Sequence, residues 1–130
     1  MQLVLVRHAE AAPGEPDDER RLTPEGRDQA RSLGRRLAAD GVHPDALLTS
    51  PLQRARETAR LLGDALGVDP EIEPTLAPGT TAEALRDAAT GRGDVVVAVG
   101  HQPDCGEIAI ALGADPEPRF PPAGACTLDL

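Results

Sequence analysis

Lysine is absent from the 130-residue chain, so all 13 basic side chains are arginines. Tryptophan and tyrosine are absent as well, and phenylalanine occurs once, at Phe120. A core with almost no rings has to be built from Leu, Val, Ile and Ala, whose burial then carries the main favourable contribution to folding. Acidic residues outnumber basic ones by 22 to 13, a formal net charge of -9, which argues against the broad basic surface that nonspecific nucleic-acid or anionic-membrane binding relies on. Any anion must be caught by a local cluster. No apolar run approaches the roughly 20 residues of a membrane span, and residues 1–6 are too short and lack the basic flank of a signal peptide. The expectation is a cytoplasmic protein that binds neither nucleic acid nor membrane. Cys105 and Cys126 are too few for a disulfide framework and match no metal motif, so both read as buried or idle thiols.

What is present suits a single domain over residues 1–130, long enough to bury a core without disulfides or metals. No repeat or linker divides it. The segments "APGEPDDERR" (12–21) and "DPEPRFPPAG" (115–124) read as loops from their Pro, Gly and charge content. Short apolar runs at 2–6, 45–50 and 94–100 lack strict alternation, as strands covered on both faces do. Residues 71–73 and 124–130 read as an edge strand and a closing strand. Between them, "TPEGRDQARSLGRRLAAD" (23–40) opens with Thr23 as N-cap and Pro24 at the first helical position, and sets Gly26, Ala30, Leu33 and Leu37 on one stripe. "SPLQRARETARLLGDALG" (50–67) repeats the device with Ser50 and Pro51, and Gly67 is its expected stop. Shorter helices are predicted at 81–90 and 103–112. The alternation predicts an α/β three-layer sandwich with a mostly parallel central sheet and helices on both faces.

In open α/β sheets ligands bind outside the carboxyl ends of the strands. The first apolar run leads at that end to Arg7 and His8, the second to Ser50 and Arg54, and the third to His101. Arg54 falls in the first turn of its helix, where free N–H groups and the dipole also favour an anion. Two guanidiniums, two imidazoles and a helix N-terminus facing one spot describe a phosphate pocket.

The ordered motifs "VRHAE" (6–10), "RLTPEGRDQA" (21–30), "SPLQRARETA" (50–59) and "VGHQP" (99–103) resemble those of the histidine phosphatase superfamily, also called phosphoglycerate-mutase-like. The short length and "LAPGTT" (76–81) are similar to the small bacterial phosphohistidine phosphatases. That resemblance implies a phosphoglycerate-mutase-like fold, with His8 as nucleophile and Arg7, Arg54 and His101 binding the phosphoryl group, without a metal or cofactor. The chemistry needs His8 unprotonated to attack phosphorus in line, and a protonated His101 is expected to join the arginines around the phosphoryl oxygens. The substrate implied is a phosphorylated protein or another phosphate-bearing molecule.

Each residue also has a plainer reading. Arg7 and Arg54 could be surface ion-pair partners, and His101 a capping histidine before Pro103. His8, His101 and Cys105 could form a zinc site, which the nearby arginines disfavour. Glu10 is read either as a substrate-site residue orienting Arg7 or another site residue, or as a solvated loop carboxylate, and His43 as a loop histidine. Ser50 and Thr58 read as cap and packing residue, with Thr58 one turn from Arg54. The resemblance implies a general acid near "EPTLAPGT" (73–80) in members that cleave phosphate esters, but Thr75 and Ala77 stand there; Glu83 is available nearby, although Thr80 to Glu83 also fits a capping box. Asp104 and Glu107 are weaker candidates. The preferred reading is a protein phosphohistidine phosphatase. The alternatives are a small-molecule phosphomonoesterase and a noncatalytic phosphate- or phosphoprotein-binding domain.

Overall fold

The two faces of every central strand are apolar, and in the computed structural model, which describes residues 1–130, each face is covered by a separate helical layer. Strands β1 (Gln2–Arg7), β2 (Ala46–Thr49), β3 (Pro70–Ile72), β4 (Val95–Gly100) and β5 (Ala125–Asp129) form one sheet in the order β3-β2-β4-β1-β5. β1 to β4 run parallel, and β5 lies antiparallel along β1. Successive side chains point to opposite faces. Val4, Val6, Leu47, Val97 and Val99 therefore pack with α1 (Pro24–Ala39) and α2 (Gln53–Leu66). Leu3, Leu5, Leu48, Val96 and Ala98 pack with α3 (Ala82–Ala89) and α4 (Asp104–Ala111). This is the expected α/β sandwich of three layers. Phe120 joins the second core.

The start of α1 follows the sequence closely: Pro24 is its first residue, and the Thr23 hydroxyl accepts from the Gly26 N–H at 2.9 Å. Gly26 has a second function. A Cβ there would stand 2.0 Å from the Glu10 carbonyl oxygen, so only glycine lets α1 lie against the segment leaving β1. At the end of α2, Gly67 takes the left-handed conformation, φ 72°, as its stop position requires.

Two helix starts differ from expectation. α2 begins at Gln53, because the fully buried Ser50 hydroxyl is engaged elsewhere and accepts only from the Leu52 N–H, before the first turn. α3 is capped by Thr81, whose hydroxyl accepts from the Ala84 N–H, so the box between Thr80 and Glu83 does not form. The loop over 12–21 contains a 3₁₀ turn, Asp17–Glu19. No helix is long and apolar enough to cross a membrane.

Candidate active site

Parallel register brings the two imidazoles together. β1 and β4 are neighbours with Arg7 opposite Gly100, so His8 and His101 leave adjacent strands at the same level, and their ring centroids are 5.2 Å apart. β2 flanks β4 on the other side with Thr49 opposite Val99, which sets Ser50 and the first turn of α2, with Arg54, beside them. Arg7, His8, Arg54 and His101 thus meet at the carboxyl ends of three parallel strands. Thr58 fastens two of these segments: its buried hydroxyl accepts from the Ala9 N–H at 3.0 Å and donates to the Arg54 carbonyl at 2.8 Å.

His8 has a defined tautomer. Its Nδ1 lies 2.7 Å from the Ala9 carbonyl oxygen, which can only accept, so the ring proton sits on Nδ1 and Nε2 carries a lone pair. Burial is the main force lowering its pKa to about 4; the Ala9 hydrogen bond opposes it, and the charges of Arg54, Arg7 and Arg20 add to the lowering. At neutral pH the ring is therefore an uncharged base.

His101 is buried, with Nε2 2.7 Å from the Ser50 hydroxyl. That hydroxyl already accepts from Leu52, and Nε2 is the acceptor left for its own hydrogen. The ring proton then falls on Nδ1, which is buried without a partner in the protein. Burial, then the His8 and Arg54 charges, bring the His101 pKa down to about 4. Without a bound anion the ring is therefore neutral at pH 7 and still offers an N–H donor, whereas the protonated His101 expected from the sequence belongs to the site with phosphoryl oxygens in place.

The two arginines are held by main-chain oxygens. Arg7 Nη1 donates to the Phe120 carbonyl at 3.0 Å, and Arg54 Nη1 to the Asp17 carbonyl at 2.8 Å. Arg54 also pairs with the Asp17 carboxylate, Nη2 to Oδ2 3.3 Å. The Nε atoms of both arginines are buried without partners. Together with His101 Nδ1, three buried donors of one site lack an acceptor, whereas buried donors are as a rule paired.

Other expected residues lie elsewhere. Glu10 does not orient Arg7: Phe120 supplies that anchor, and the Glu10 side chain is exposed while its main chain binds α1 through Thr23 and Gln29. Glu83 and Glu107 are exposed, and Asp104 accepts from the Gly79 N–H at 2.8 Å. The Cys105 sulfur faces the Val6 carbonyl within the α4-side core, where burial pushes its thiol up to about 12, far from a thiolate ligand. Burial also raises the Cys126 thiol. No group of three His, Cys, Asp or Glu side chains is placed to hold a metal ion. His43 is exposed in the loop before β2. Sequence reasoning missed Asp17, Arg20 and the Phe120 carbonyl, all in the two segments read as plain loops.

A family model, the histidine phosphatase superfamily (branch 1), matches residues 3–78. The chain belongs to this superfamily. It is 38% identical over 120 residues to an uncharacterised protein of Picosynechococcus sp., covering 86% of this chain and 73% of that protein. The solved structure of the protein histidine phosphatase SixA complexed with tungstate superimposes with a TM-score of 0.90 at 27% identity, covering 100% of this chain and 88% of that one. A shorter match, 37% identical over 68 residues, is to the mitochondrial serine/threonine-protein phosphatase Pgam5 of Drosophila willistoni; it spans 52% of this chain and only 23% of Pgam5. Family and neighbours together support a phosphatase, a hydrolase acting on a phosphate-bearing substrate.

Proposed function

We propose that this histidine phosphatase removes the phosphoryl group of a protein phosphohistidine by way of His8, with neither metal nor cofactor. The observation that carries the reading is the Nδ1–H to Ala9 contact, which leaves the Nε2 lone pair as nucleophile beside three buried donors without partners. In the first step Nε2 forms a bond to phosphorus and the substrate's P–N bond breaks. The electron pair returns to the substrate imidazole, which departs neutral because its other nitrogen already carries a proton. In the second step water attacks phosphorus, the bond to Nε2 breaks, and inorganic phosphate leaves with the protons of that water. His8 keeps its Nδ1 proton throughout, so it too departs as a neutral imidazole. Arg7, Arg54 and the His101 Nδ1–H supply the donors that phosphoryl transfer depends on.

The carboxylates favour P–N over P–O cleavage. An alkoxide leaving group needs a proton from an acid, a contribution of about 10²–10⁴ in rate. Asp17, the carboxylate nearest Arg54, is held below its ordinary range first by its hydrogen bond to Arg20 and then by the Arg54 charge, so it is anionic at neutral pH. Glu83 and Glu107 face solvent, and Asp104 serves as an acceptor.

The test compares kcat/KM for a phosphohistidine peptide, an aryl phosphate and an alkyl phosphate, each with and without chelator. The expected order is phosphohistidine first, aryl phosphate second and alkyl phosphate last, the alkyl phosphate slower by about 10²-fold or more for want of an acid. Chelation should change none of the rates. Equal turnover of the alkyl phosphate would point to a small-molecule phosphomonoesterase, and phosphate binding without any turnover to a binding domain.

A further inference from the structure

A carboxylate of the chain itself lies where an oxyanion could lie. Asp17 opens the 3₁₀ turn and places Oδ2 3.3 Å from Arg54 Nη2 and Oδ1 3.1 Å from Arg20 Nη1, so one carboxylate spans two guanidiniums. Arg20 is fixed in that position, because its Nε donates to the Ala12 carbonyl at 2.9 Å. Its charge is also felt at His8, alongside those of Arg54 and Arg7.

We propose that Arg20 is a third guanidinium ligand of the phosphoryl group, and that the Asp17 carboxylate is its internal competitor, displaced when phosphoryl oxygens bridge Arg20 and Arg54. The inference rests on the pocket being a phosphoryl site, as argued above. A phosphoryl group brings more charge and one more terminal oxygen than a carboxylate, and each of its contacts to a guanidinium is charge-assisted. The Asp17 side chain is 66% exposed, so rotating it into water costs little. The turn need not unfold for this. Arg54 Nη1 is held by the Asp17 main-chain carbonyl, a contact that survives rotation of the side chain. The loop would then act as a swap: its carboxylate balances two arginines until a better anion arrives.

Calorimetric titration of the intact protein with inorganic phosphate at pH 7.5 tests this in four forms: wild type, D17N, R20Q and R54A. D17N keeps the main-chain carbonyl and removes the competing charge, so phosphate should bind about two- to fivefold more tightly, the range an exposed carboxylate contact supports. R20Q should bind about tenfold or more weakly, as loss of a charged hydrogen bond implies. Thermal unfolding of each variant shows whether the fold is kept, and D17N, near-isosteric at an exposed side chain, decides the matter if R20Q is destabilised. Weaker binding by D17N would overturn the proposal, since Asp17 would then be positioning Arg54 instead of competing with phosphate. So would unchanged binding by D17N and R20Q while R54A abolishes it, a result that leaves the phosphatase reading intact. If wild type binds no phosphate and R54A changes nothing, the phosphoryl site itself fails, and this inference with it.

Discussion

A histidine makes a poor nucleophile if it is protonated at working pH, and in the mechanism proposed for His8 burial among arginines keeps the ring neutral. Its ordinary pKa of 6.5 drops to about 4, and that of His101 does the same. The sign matters for the proposed attack: each ring is neutral above its pKa and charged below it, so the Nε2 lone pair of His8 persists through the neutral range and is lost only as pH falls through about 4. NMR titration of the imidazole carbons, assigned with H8Q and H101Q, should give midpoints near 4 for both rings. A His8 midpoint near 6.5 would mean that burial and the arginines do not act on the ring as described. The direction also bears on affinity. A bound phosphoryl dianion favours the imidazolium form, so phosphate should move the His101 midpoint upward.

At the scale of elements, the site depends on how the end of β1 is tied to α2. Thr58 makes that tie, its fully buried hydroxyl linking the Ala9 N–H to the Arg54 carbonyl. T58V keeps the shape but strands the Ala9 N–H, a cost of about 1–3 kcal/mol for a buried donor left unsatisfied. Urea unfolding should show that loss, and kcat/KM should fall with it because His8 and Arg54 are no longer held in register. T58S should recover both. A T58V protein as stable and active as wild type would show the tie to be incidental.

The same elements explain what could be read in the sequence. Arg7, His8, Arg54 and His101 stand at the end of an apolar run or in the helix turn after it, and parallel pairing converts those positions into one place. The three layers were legible for a related reason: runs such as Leu3 to Val6 have no polar face, so a helix must cover each side. Asp17 and Arg20 were not legible. They lie in a Pro- and charge-rich loop without periodicity, and the Asp17 contact to Arg54 joins residues 37 apart. A main-chain carbonyl such as that of Phe120 leaves no trace in side-chain chemistry. Ser50 reads as a cap, but its partner His101 is 51 residues away, and that contact draws the hydroxyl inward and delays the helix. Nearness in sequence does not bring Glu10 to Arg7, because the chain has left the strand by position 10 and turns that carboxylate to solvent.

Across the whole molecule, an acidic body with a net charge of -9 surrounds a local cluster in which the charges of Arg7, Arg20 and Arg54 all act on His8. Free anions in bulk solution are repelled by such a body, while an anion delivered into the pocket meets several donors, and added salt screens the first effect more than the second. The fold, the register of β1 with β4, and the tautomer of His8 all lead to one chemical claim, that the phosphoryl group passes through Nε2 of His8. Rapid quenching of the enzyme with a ³²P-labelled phosphohistidine peptide tests it directly. The account predicts a transient, acid-labile label on His8, carried on Nε2 and absent from H8A. Label on another residue, or label on Nδ1, would contradict it.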